Sequence, residues 1–91
     1  MVLLLPIAAY AGTGEENQVA IEAGQTLRQL EWLTAKCGID VSKDEIIATM
    51  TKVLANTTWG RHGYETEQQA LSGLEKLHGL DVVCSALKSK R

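Results

Sequence analysis

Three apolar runs at helical spacing, capping signals between them and the lack of any alternating strand pattern of useful length predict an all-α fold, a small up-down-up bundle of three helices. At 91 residues the chain makes one domain with a marginal core. Its 45% hydrophobic and 22% charged residues and single proline suit a globular protein, and no low-complexity tract or solenoid repeat is present.

The chain opens "MVLLLPIAAYAGTGEE", uncharged from Val2 to Ala11. Residues 1–11 read as an apolar leader remnant or an N-terminal arm, and residues 12–91 as a single helical domain. Leu3 to Ala9 supplies a short apolar core and Ala9-Tyr10-Ala11 before Gly12 is an A-x-A cleavage site, but no basic residue precedes them. As an arm, the same residues would pack on the bundle or on a second copy, making a homodimer. The stretch is shorter than the ~20 apolar residues a membrane-spanning helix needs.

Helix one is expected from Thr13, which has Glu16 three residues on, the capping-box spacing. Its apolar stripe is Val19, Ala23, Leu27, Leu30, Thr34 and Cys37, widened by Ala20, Trp32 and Leu33. Gly38 stops it, and Ile39 beyond can touch Leu33 in a Schellman contact. Helix two starts at Ser42, with Glu45 completing a second capping box and Val41 and Ile46 a hydrophobic staple. Ile46, Ile47, Met50, Val53 and Leu54 form its expected buried face, and it ends near Trp59 before Gly60. Helix three begins with Thr66 and Gln69 at capping-box spacing and carries Ala70, Leu71, Leu74, Leu77, Leu80, Cys84 and Leu87 on one side. It reads as one long helix kinked at Gly79. In the alternative, Gly79 ends one helix and Asp81 caps another.

In an up-down-up bundle helices one and three run parallel, which brings Cys37 and Cys84 to the same end. In an exported domain of this size two cysteines are expected to pair, and closing their 47-residue separation contributes ~4 kcal/mol on the chain-entropy model. In a cytosolic protein both would be buried thiols. A catalytic thiol has no histidine or strong base near it in sequence.

A net charge of -2, with basic residues clustered only at Lys88, Lys90 and Arg91, argues against nucleic-acid binding. Those cations suit a solvated helix end. His62 and His78 lack metal-ligand spacing and neither cysteine sits in a C-x-x-C unit, so no metal is expected. Phosphate-cradling glycine motifs and the hydrolase elbow are missing, and no cofactor is expected. The glutamates of helices one and three suit solvated faces better than catalytic pairs. Asn56-Thr57-Thr58 matches a glycosylation sequon, which matters only in a eukaryotic secreted protein.

The candidate site is "TTWGRHGY", Thr57 to Tyr64, read as a loop in which two glycines bracket Arg61 and His62 and two aromatics flank them. Trp59, Arg61, His62 and Tyr64 are the residue types that dominate protein-binding hot spots. Alternatively, Trp59 and Tyr64 plug the bundle end and Arg61 and His62 form a solvated turn. These observations favour a small non-enzymatic protein of the periplasm or the extracellular space that binds a protein partner, of inhibitor or accessory type. Two alternatives stay open: a small enzyme or ligand carrier using His62 or the interhelical core, and a cytosolic helical subunit dimerising through its apolar N-terminus.

Overall fold

The computed structural model describes residues 14–91, so the apolar stretch 1–11 and the Thr13 cap lie outside the described residues. Among the described residues the fold is all-helical, with four helices where three were expected: α1 (Gly14–Ala35), α2 (Lys43–Ala55), α3 (Thr57–His78) and α4 (Leu80–Ser89). None is long and apolar enough to cross a membrane.

Glu15 and Glu16 place negative charge in the first turn of α1, where the helix dipole favours it. Past its end Gly38 turns the chain with φ 67°, and the Ile39 N–H donates to the Leu33 carbonyl at 3.0 Å. Ile39 packs on the core cluster that includes Leu33. At the start of α2 the Ser42 hydroxyl accepts from the Asp44 N–H at 3.1 Å, one position earlier than the capping box implies. The Glu45 carboxylate takes the Arg91 guanidinium instead, at 2.9 and 3.2 Å. Val41 and Ile46 both reach the core, as a staple requires.

The buried face of α2 is not the expected one. Thr49 is buried with Ile46 and Val53 half-buried, while Ile47, Met50 and Leu54 stay 59%, 44% and 68% exposed. The apolar residues of α2 cover more of its circumference than one stripe can bury. The seat of Val53 on α3 chooses among them: a β-carbon on Gly60 would lie 2.8 Å from Val53 Cγ1. Thr49 is tolerated inside because its hydroxyl donates to the Glu45 carbonyl at 2.9 Å.

α2 ends at Ala55, short of Trp59, and only Asn56, at φ -150° and ψ 78°, separates it from α3. The Asn56 side chain donates to Asn17 on α1 at 3.1 Å, pinning this corner to the start of the bundle. Thr57 to Tyr64 is therefore the first two turns of α3 and not a loop. Gly60 and Gly63 are buried because backbones meet there. A β-carbon on Gly24 would sit 2.0 Å from the Gly60 carbonyl oxygen, and one on Gly63 would sit 2.1 Å from that of Ile21. Only glycine lets α1 and α3 approach this closely.

Ile21 faces Gly63, Arg28 faces Gln68 and Lys36 faces Glu75, so α1 and α3 run parallel, as expected. That register explains why helix three is broken rather than long. With Lys36 level with Glu75, a straight helix would carry Cys84 about 12 Å past Cys37 at 1.5 Å per residue. Instead Gly79, at φ 89°, ends α3 and folds α4 back. Asp81 lies in the first turn of α4 and does not cap it; Gly79 is the N-cap position, with no side-chain hydrogen bond. The fold-back brings the sulfurs of Cys37 and Cys84 to bonding distance, with their Cα atoms 5.7 Å apart.

The core cluster is Leu30, Trp32, Leu33, Leu71, Val83 and Leu87. Each fully buried leucine or valine contributes about 1.5–3 kcal/mol. On α3, Leu71 alone of the expected apolar stripe is buried; Ala70, Leu74 and Leu77 are exposed. The glycine crossing rotates α3 so that Tyr64, Glu67, Gln68 and Glu75 line its contact with α1. On α1, Val19 and Thr34 are exposed, and Ala23, Leu27 and Leu30 are buried as expected.

Candidate functional site

The four expected binding residues share two helical turns but divide between two faces. Trp59 and His62, three residues apart, meet edge to face with ring centroids at 5.8 Å and an interplanar angle of 85°. Both are exposed, Trp59 by 37%. Arg61, one position before His62, is also exposed and forms no ion pair among the described residues. The glycine crossing beneath holds this surface on a rigid helix, which lowers the ordering cost of presenting it.

Tyr64 turns the other way. Its hydroxyl donates to the Glu31 carboxylate of α1, and the ring lies half-buried, 5.7 Å from the Arg28 guanidinium. The bond to Glu31, aided by burial and by the charge of Glu31, raises the Tyr64 hydroxyl above its ordinary pKa; Arg28 opposes the shift. Arg28 also donates to Gln68, stands 3.4 Å from Glu31 and lies 5.4 Å from the centre of the Trp32 ring. Lys36 extends the seam, with its ammonium 4.1 Å from the Trp32 ring centre and 3.0 Å from Glu75. Gln29 donates to Glu67 at 2.7 Å. Tyr64 thus ties α3 to α1, and of the four expected binding residues Trp59, Arg61 and His62 are exposed. The pairs Arg28–Glu31 and Trp32–Lys36 were not expected from the sequence, although their i,i+3 and i,i+4 spacings place each on one helix face. Their partners on α3 had no sequence signal, since the register sets them.

Three open cavities of about 560, 280 and 430 Å³ follow one side of α1. The first two share Val19 and Lys52, and the last two share Thr26. None of the three is lined by Trp59, Arg61, His62 or Tyr64. His62 has no carboxylate partner among the described residues, and no group of three metal-ligating side chains occurs among them. Glu45, held by Arg91, has its carboxyl kept below the usual range.

No family model matches the chain, and neither a curated protein nor a solved structure matches it.

Proposed function

We propose that this protein is a small, non-enzymatic helical domain of the periplasm or the extracellular space that acts by binding a protein partner. The contact surface is the outer face of the first two turns of α3. The observation that carries this reading is the exposed Trp59–His62 pair, with Arg61 exposed one position before His62, on a helix whose position the Gly24, Gly60 and Gly63 crossing holds. Tryptophan and arginine supply large contact area and bidentate hydrogen bonding, and a pre-ordered helix loses little entropy on binding. The bonded sulfurs of Cys37 and Cys84 support the compartment, because disulfides persist where thiols are not kept reduced.

The test is paired affinity capture from the exported fraction of the native host, using wild type and an Arg61→Ala/His62→Ala variant. The variant should keep the wild-type melting temperature, since both side chains point to solvent. It should lose the specific partner by roughly 30-fold, equivalent to about 2 kcal/mol at a hot spot. Equal recovery by both proteins would move the contact away from α3.

A further inference from the structure

Among the four helices, α4 is the least securely tied. It has ten residues, and an isolated helix shorter than about 12–15 residues is marginal in water. It joins α3 through Gly79, whose φ of 89° glycine adopts cheaply, and no side chain caps its start. Its buried residues Val83, Cys84 and Leu87 close over the cluster of Leu30, Trp32, Leu33 and Leu71. Two clasps keep it there: the Cys37–Cys84 bond, and the Arg91–Glu45 ion pair, which is solvent-exposed and of a kind that contributes little.

Trp32 is fully buried in this cluster, where Val83 and Leu87 are the buried residues that α4 contributes. The α1–α3 crossing does not depend on α4. Gly24, Gly60, Gly63 and the pairs Arg28–Gln68, Gln29–Glu67 and Tyr64–Glu31 all lie in other helices.

We propose that the Cys37–Cys84 bond is a redox latch that holds α4 closed over the Trp32 cluster, and that reducing it lets α4 lift about Gly79 while α1 and α3 stay packed. A dithiol reductant supplies the chemistry. One of its thiolates attacks Sγ of Cys37, the less buried of the two residues, forming a mixed disulfide and expelling the Cys84 thiolate. The second reductant thiol then displaces Cys37. Two electrons pass to the cysteine pair, each thiolate takes a proton, and the reductant leaves as its own disulfide. A disulfide of glutathione class closes the latch again: one cysteine thiolate attacks it and expels one thiol, the other cysteine thiolate then displaces the second thiol from the mixed disulfide, and two electrons pass to the oxidant. This inference goes beyond the binding reading and does not depend on it.

The experiment uses the full chain in a Trp59→Phe background, where Trp32 is the remaining tryptophan. Iodide quenching of its fluorescence and amide hydrogen exchange are measured before and after dithiothreitol, then after oxidised glutathione. Reduction should raise Trp32 quenching and speed exchange over residues 80–89 by at least about tenfold, with the amides of the Ile21 to Gly63 crossing unchanged. Reoxidation should restore both. A Cys37→Ser/Cys84→Ser variant should match the reduced protein without any reductant. Unchanged quenching and exchange after reduction would overturn the proposal by showing that α4 stays docked on its own packing. Equal loss of protection across α1, α3 and α4 would overturn it too, because the bond would then be holding the whole fold.

Discussion

Gly63→Ala is the most discriminating perturbation of this fold, because two opposing effects of the same methyl group can be weighed. In a helix interior alanine is favoured over glycine by about 1 kcal/mol, so propensity alone would make the variant more stable. The tertiary structure reverses the sign. The new β-carbon would stand 2.1 Å from the Ile21 carbonyl oxygen and 2.8 Å from its carbon, when real contacts essentially never fall below 3.0 Å. The obstruction is backbone inside α1, so no rotamer change relieves it, and α1 and α3 must separate by about 1 Å. Overpacking of this kind costs about 1–3 kcal/mol and occasionally more. Separation also stretches the Arg28–Gln68 and Gln29–Glu67 bonds across the same interface. Because the obstruction is backbone, the cost falls at the upper end, about 3 kcal/mol; less the propensity gain of about 1, the net expectation is a loss of about 2 kcal/mol, a fall of roughly 8–16 °C in Tm for a domain of this size. Gly73→Ala supplies the control: it lies inside α3 with nothing within 4 Å of its β-carbon position, so the variant should gain about 0.5–1 kcal/mol. Thermal and urea unfolding of the oxidised protein measure both. A Gly63→Ala protein as stable as wild type, or more so, would refute the close crossing on which the account of α3 rests.

Leu33→Ala should cost about 2–5 kcal/mol in urea unfolding, whereas Leu54→Ser, on the exposed face of α2, should stay within about 0.5 kcal/mol; equal costs would place Leu54 in the core. Because the Tyr64 hydroxyl is raised above its ordinary value of 10.0, its contribution is complete below about that pH and is lost as pH rises through the raised value. Tyr64→Phe should therefore flatten the alkaline fall in unfolding free energy, and an unchanged slope would break the link to Glu31. Glu45 is lowered from 4.5, chiefly by its hydrogen bond from Arg91, so its contribution is present above about 4.5 and lost as pH falls through the lowered value. Arg91→Ala should remove that part of the acid sensitivity, a small change at so exposed a pair, read from acid unfolding curves; identical curves would show that the pair does not form in solution.

Much of the candidate site was legible as composition and little of it as geometry. Trp59, Arg61 and His62 stood out by residue type and all three are exposed. Tyr64, of the same type and in the same stretch, is instead committed to Glu31 and Arg28. The stretch read as a loop because glycine normally punctuates helices, and Gly60 and Gly63 had to be weighed without knowing what lay opposite. Gly63 must be glycine because of the α1 backbone at Ile21, roughly forty positions away in sequence, and Gly60 because of Val53 on α2.

The sequence by itself determined that the chain is helical, where α1 stops, where α2 starts and that α1 and α3 run parallel, with Cys37 and Cys84 toward the same end. Each of these depends on neighbours within a few residues or on the order of the helices: the turn at Gly38, the Ser42 cap, and the parallel course of the first and third apolar runs. Tertiary structure alone decided which apolar residues are inside, where α3 begins and why it must break at Gly79. Ile46 and Ile47 are chemically alike, yet the seat of Val53 on Gly60 turns one toward the core and leaves the other 59% exposed. The pairing of Lys36 with Glu75 sets a register in which only a fold-back at Gly79 lets Cys84 reach Cys37. Local signals act through hydrogen bonds and dihedral preferences of adjacent residues. The rotation and register of one helix on another are set by the shapes of surfaces that meet only after the chain has folded.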